Sequence, residues 1–206
     1  VIIAVIDGYI DTSIPELQGA DIQDKTPCTV NTDQDSNDHA TYIAQFLVAP
    51  DFGVAPGATI YSYAQAGVTR EAGSDCSLGN NPHALADQPS LIEQALNDGA
   101  NIISISTTFS RSDTESLRWA VARAVVQGVP IVVSMGNDGE RNPDDILGPW
   151  GGVIGAGALE TDGRYADYSN WGDGVSLVAV GEGVARRAST NSIYTVAGAS
   201  FSAPLI

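Results

Sequence analysis

Residues 1–7 read Val-Ile-Ile-Ala-Val-Ile-Asp, an unbroken apolar and largely β-branched run that stops on an acid. A strand with one wet face alternates apolar and polar residues, so an unbroken run marks a strand buried on both faces, as in a parallel sheet covered by helices. Working outward, the same texture recurs in Ala58 to Ala64 (ATIYSYA), Asn101 to Ser106 (NIISIS), Val129 to Ser134 (VPIVVS), Val153 to Ala158 and Val175 to Val180. Helical spacing separates these runs. His39 to Val48 places Ile43, Phe46 and Leu47 on one face before Pro50 ends the pattern. Pro89 to Gly99 offers Leu91, Ile92, Ala95 and Leu96, with Ser90 as N-cap and Gly99 as C′. Thr114 to Gln127 turns Leu117, Val121, Ala124 and Val125 inward and closes on Gly128. This alternation predicts one α/β domain, a mostly parallel sheet flanked by helices, from Val1 to about Gly198.

Composition agrees and excludes several classes. At roughly 100–200 residues per domain, 206 residues make one domain. Hydrophobic residues are 43% and charged residues 17%, a balance that can bury a core. Nine Lys+Arg against 25 Asp+Glu give −16, a field that repels phosphate backbones and anionic lipid, so no nucleic-acid partner is expected. No apolar run reaches the roughly 18 residues of a membrane helix, so no membrane insertion is expected. No signal peptide is present, but Val1 opens directly on a strand, which leaves an upstream signal or pro-segment open. Cys28 and Cys76 lie in polar, loop-like stretches; one disulfide and two free thiols fit equally, and no zinc site is expected.

In open α/β sheets, catalytic groups collect at the carboxyl ends of the strands. Asp7 follows the first run, Gly136-Asn137 follows VPIVVS, and Gly198-Ala199-Ser200-Phe201-Ser202-Ala203-Pro204 closes the chain. The histidines are His39 and His83. Singly, Asp7 could end a strand, His39 could sit in a loop and Ser200 could cap a helix. Together they supply the acid, base and hydroxyl of nucleophilic catalysis.

These residues resemble the subtilisin-like serine proteases (peptidase S8). The resemblance runs in order through VIIAVIDGYIDTSIPEL, NDHATYIAQ, FGVAPGATIYSY, ALNDGANIISIS, PIVVSMGNDG, ADYSNWGDGVSLVAVGEGV and GASFSAP. It implies a three-layer subtilisin-like fold and a serine endopeptidase with a catalytic triad. Asp7 would orient the imidazole, His39 would be the general base, Ser200 the nucleophile and Asn137 the oxyanion donor. The helix starting at Ser200 would add a favourable dipole. By the same resemblance Ser106, Thr107 and Thr108, with Ser134, Met135 and Gly136, would meet a peptide or protein substrate lying alongside as an added strand. DGYIDTSIPELQGADI and DYSNWGD are similar to the proteases that mature cyanobactin-type ribosomal peptides; GASFSAP and GVAPGA are also similar to mycosins.

The chain departs from the family pattern at Gly8-Tyr9 after the acid, at Ala40 and Tyr42 after the histidine, and at Thr107-Thr108, which should narrow the pocket for the side chain before the cleaved bond. Alternatives are therefore a catalytically impaired pseudoprotease that only binds peptides, or a transpeptidating macrocyclase. A short polar loop in place of the cyclising enzymes' helical insertion between Asp7 and His39 favours hydrolysis. Asp33, Asp35, Asn37 and Asp38 open like an acidic metal loop but fail the EF-hand template, so they read as a solvated loop and no cofactor is expected, a weak structural calcium staying open. His83 reads as a surface-turn residue; Asp138, Glu140, Asp144 and Asp145 could favour a basic substrate side chain, but with 25 acidic residues in the chain chance clustering is the better explanation. The family default is secretion, whereas a cyanobactin-type maturation enzyme would be cytoplasmic. Ser200 stands six residues before Ile206, too few for a helix, since isolated helices need roughly 12–15 residues. Residues 1–206 are thus expected to be a peptidase catalytic domain with its C-terminal part missing after the start of the nucleophile helix, the missing helix being supplied by a further segment; a pro-segment or the remaining C-terminal fragment of the same domain is the further partner expected.

Overall fold

The computed structural model describes residues 1–30, 35–66, 68, 76, 87–107, 114–142 and 147–206. The opening run is β1 (Ile2–Asp7), an inner strand of a seven-stranded sheet. Its companions are β2 (Asp21–Asp24), β3 (Thr59–Ala64), β4 (Ile102–Ile105), β5 (Ile131–Ser134), β6 (Val153–Leu159) and β7 (Leu177–Val180), in the order β2-β3-β1-β4-β5-β6-β7. Every pairing is parallel; Ile3 of β1, for example, lies beside Ile60 of β3 and Ile102 of β4.

Three layers follow from what β1 buries. Ala4 and Ile6 pack with Leu91, Ile92 and Leu96 of α2 (Gln88–Asn97) and Leu117, Val121 and Ala124 of α3 (Thr114–Gln127). Ile3 and Val5 face the other way, against Ile43, Leu47 and Val48 of α1 (Asp35–Val48) and Phe201 of the short α4 (Ala199–Ser202). Both faces of the strand are dry, as the unbroken apolar run requires. The Tyr63 hydroxyl donates to Asp98 Oδ2 at 2.8 Å, tying β3 to the end of α2; burial and that carboxylate push the phenol pKa well up.

The structure corrects several sequence expectations. α1 starts at Asp35, so the stretch read as a solvated loop is the first turn of the helix that carries His39. Tertiary bonds hold it there: Tyr9 N–H donates to Asn37 Oδ1 at 3.2 Å, and Ser189 donates to Asp38 from its N–H at 3.1 Å and its hydroxyl at 2.6 Å. The N-cap of α2 is Asp87, whose carboxylate accepts from Ser90 N–H at 2.9 Å, so Ser90 sits inside the first turn. The inner face of α3 includes Ala120, whereas Val125 points outward, 49% exposed. Among the described residues, no three or more His, Cys, Asp or Glu converge on a metal position, and no helix is long and apolar enough to cross a membrane. Asp33 and His83 lie outside the described residues.

Beyond the sheet, β8 (Glu182–Arg187) and β9 (Ser192–Ala197) form an antiparallel hairpin. Gln45 of α1, fully buried, donates from Nε2 to Arg186 O at 2.9 Å and accepts from Arg186 N–H at 2.8 Å, so one side chain imitates a strand edge and holds the hairpin. The Arg186 Nε donates to Glu16 at 2.8 Å, and Arg187 Nε donates to the Tyr42 hydroxyl at 2.9 Å. Cys28 and Cys76 form a disulfide, which decides between the two readings that the sequence leaves open.

Candidate active site

Asp7 is the last residue of β1, and its side chain is 1% exposed. Oδ1 accepts from Gly8 N–H at 2.7 Å and from His39 Nδ1 at 2.9 Å. A carboxylate only accepts, so the contact fixes the Nδ1–H tautomer and leaves Nε2 as the free base. Asp7 Oδ2 is buried with no hydrogen-bond partner among the described residues, which leaves His39 as the one side chain hydrogen-bonded to this carboxylate. Burial lowers the His39 pKa, but the Asp7 charge and its hydrogen bond outweigh burial and hold the imidazole above its ordinary value of 6.5. Phe201 stacks obliquely beside the ring at 5.8 Å and also packs on Phe46 at 5.3 Å.

Ser200 lies in α4, at the carboxyl edge of the sheet. Its hydroxyl donates to Ser106 O at 3.0 Å, and the Ser106 hydroxyl donates back to Ser200 O at 3.0 Å. His39 and Ser200 are not hydrogen-bonded to each other. Asn137 Oδ1 accepts from Ala199 N–H at 2.7 Å, which joins the loop after β5 to the residue before the serine. The structure therefore couples Asp7 with His39, Asn137 with the start of α4, and Ser106 with Ser200.

The expected substrate-contacting residues divide. Thr107 Oγ1 donates to Gln65 Oε1 at 3.3 Å and accepts from Gln88 Nε2 at 3.4 Å, so its hydroxyl is engaged within the protein. Thr108 lies outside the described residues, as do Asp144 and Asp145. Ser134 Oγ accepts from Gly136 N–H at 3.3 Å and shapes the turn. Met135 is fully buried: its side chain packs against Gly148, Gly155 and Gly174, its N–H donates to Ala156 O and its carbonyl accepts from Asn170. Its backbone N–H and carbonyl are both bonded within the protein. Sequence reasoning misses Asn170, Gln45 and the paired bonds between Ser106 and Ser200; the signal for Asn170 is the stretch DYSNWGD.

A parallel three-layer sheet with an Asp–His pair at the end of an inner strand, and a serine on a helix beside the next strand end, has the architecture of subtilisin-like folds. The chain belongs to the subtilase family (Peptidase_S8), whose profile matches residues 1–206. It is 28% identical over 216 aligned positions to the major intracellular serine protease of Bacillus subtilis (strain 168), covering 98% of this chain and 64% of that protein. Among solved structures it is similar to the prenylagaramide maturation protease PagA, with TM-score 0.79, 24% identity and coverage of 100% of this chain and 71% of that one. The PatG macrocyclase in complex with peptide gives TM-score 0.80, 22% identity and coverage of 100% and 72%. The chain thus spans less than two thirds of the length of that curated relative.

Proposed function

We propose that this chain carries the catalytic machinery of a serine endopeptidase that hydrolyses an extended peptide or loop, a precursor-peptide maturation protease being the specific form we favour. The observation that carries the proposal is the 2.9 Å contact between buried Asp7 and His39, which leaves Nε2 unprotonated beside the strand ends where Ser200 sits. In the reaction, Ser200 Oγ leaves Ser106 O for His39. His39 Nε2 takes the hydroxyl proton as Oγ bonds to the scissile carbonyl carbon. The carbonyl oxygen takes up the electron pair and accepts from Asn137 Nδ2 and from Ser200 N–H, in the first turn of α4, where a helix leaves its N–H groups unpaired. Collapse breaks the carbon–nitrogen bond, and His39 delivers its proton to the leaving amine. Water then repeats the sequence on the acyl-enzyme and restores Ser200.

Fluorophosphonate labelling of the full chain tests this: wild type should label at Ser200, Ser200→Ala should not, and a wild type that fails to label sinks the proposal. One observation favours a second reading, a peptide-binding pseudoprotease, because Ser200 Oγ rests on Ser106 O instead of His39. That reading expects a precursor peptide to bind without being cut. Transfer of the acyl group to an internal amine, as a macrocyclase would perform, shows in mass spectrometry as a product one water lighter than the hydrolysed one.

A further inference from the structure

We propose that Asn170 is the positioning residue of the oxyanion site, a buried amide that fixes the loop carrying Asn137 without touching the substrate. This inference rests on the endopeptidase reading above. Asn170 is 1% exposed and stands in the loop between β6 and β7. Its Oδ1 accepts from Asp138 N–H at 3.1 Å and from Glu140 N–H at 2.9 Å. Its Nδ2 donates to Met135 O at 2.8 Å and to Asp138 Oδ2 at 3.2 Å. Its own N–H donates to Gly136 O at 3.1 Å. These bonds reach residues 135, 136, 138 and 140, on both sides of Asn137, and none goes to Asn137 itself.

The position admits few other side chains. The amide must offer one oxygen that receives two N–H groups and one nitrogen that donates twice, within a short reach. Aspartate lacks the donors, glutamine is one methylene longer, and serine has a single hydroxyl. Gly136 completes the fit: its φ of +87° favours glycine, and a Cβ there would lie 2.6 Å from Asn170 Nδ2. Asn170 is itself braced, because its carbonyl accepts from the Tyr165 hydroxyl at 2.6 Å and the Ser169 hydroxyl at 3.2 Å. Asn137 is exposed and is bonded at Oδ1 to Ala199, so the aim of its Nδ2 depends on where the 135–140 backbone runs. A displacement of about 1 Å in such a donor lowers rate without altering ground-state binding, because the oxyanion exists only in the transition state.

The test compares Asn170→Ala, Asn137→Ala and the double variant in the full chain, reading kcat and KM on a cleavable peptide and dividing by the fraction of protein that labels with fluorophosphonate. Asn137→Ala should lower kcat about 10²–10³-fold. Asn170→Ala should lower kcat about 10- to 100-fold with KM within about twofold, and should add less than about twofold when Asn137 is already alanine, because it acts through that residue. If Asn170→Ala does not fold, Asn170→Asp carries the test, since its oxygen still accepts both N–H groups while the donors are gone; the same non-additive loss in kcat is expected. Losses that multiply in the double variant, a change confined to KM, or a loss explained entirely by the labelled fraction would each overturn the role of Asn170 while leaving the protease reading intact. A wild type that neither labels nor cleaves overturns both.

Discussion

The side chain of Gln45 replaces a strand edge for the β8–β9 hairpin, and Gln45→Leu removes that edge while keeping a similar volume. The substitution strips Arg186 N–H and Arg186 O of bonds at 2.8 and 2.9 Å. Each buried or half-buried main-chain group left unpaired costs about 1–3 kcal/mol, and the added apolar side chain offsets part of that, for a net loss of about 2–4 kcal/mol. Because Arg187, Ser189 and Arg186 connect the hairpin to Tyr42, Asp38 and Glu16, the loss should fall on local opening of the hairpin. Hydrogen exchange followed by mass spectrometry or NMR should show the Arg186 amide exchanging roughly 30- to 700-fold faster, at about 1.4 kcal/mol per decade. The melting temperature should fall by roughly 4–16 °C. Amides inside β1, such as Val5, should accelerate far less than Arg186. An unchanged Arg186 amide, or equal acceleration at Val5, would refute the reasoning.

Asp7→Asn should move the acid limb of the kcat/KM profile from above pH 6.5 to below it, because the carboxylate raises the His39 pKa and burial alone lowers it; kcat should fall roughly 10⁴-fold. A limb that stays put would show that Asp7 does not set the base. The raised pKa also gives a stability contribution that is fully present below pH 6.5 and fades as pH rises through the folded-state value, so denaturant midpoints of wild type and Asp7→Asn should converge in alkaline buffer. Replacing Cys28 and Cys76 by serine opens a crosslink of sequence separation 48, and loop-closure entropy puts the cost at about 4 kcal/mol; an unchanged denaturation midpoint would contradict that figure.

Much of the fold is legible in residue order because sheet burial leaves a strong trace: Ile3–Ile6 and IVVS are buried on both faces, and their strand length and β-branched residues mark them as inner strands. β2 and the β8–β9 hairpin leave none. Asp21–Asp24 is a polar edge strand, and the hairpin holds its place through Gln45 and Arg186, a contact between residues far apart in sequence. The start of α1 is hidden for the same reason: Asn37 and Asp38 look like solvated loop residues until Tyr9 and Ser189 are folded against them. In the candidate site the acid and the histidine are readable by resemblance, and their contact joins the end of β1 to the N-terminal part of α1. The bond from Ser200 to Ser106 was not readable, since it depends on one side-chain torsion. Asn170 was hidden because an asparagine in a turn-rich stretch has an ordinary explanation as a turn former.

The Cys28–Cys76 bond closes a covalent ring, and His39 lies inside that ring while Asp7, Asn137 and Ser200 lie outside it. A backbone cut anywhere between the two cysteines would therefore leave one molecule of unchanged mobility until a reductant is added. Such a nick, from the protein itself or from another protease, would spare the connection of the histidine to the rest of the site and pass unseen on a non-reducing gel. Reduction of the nicked form would instead release two pieces, each lacking part of the constellation.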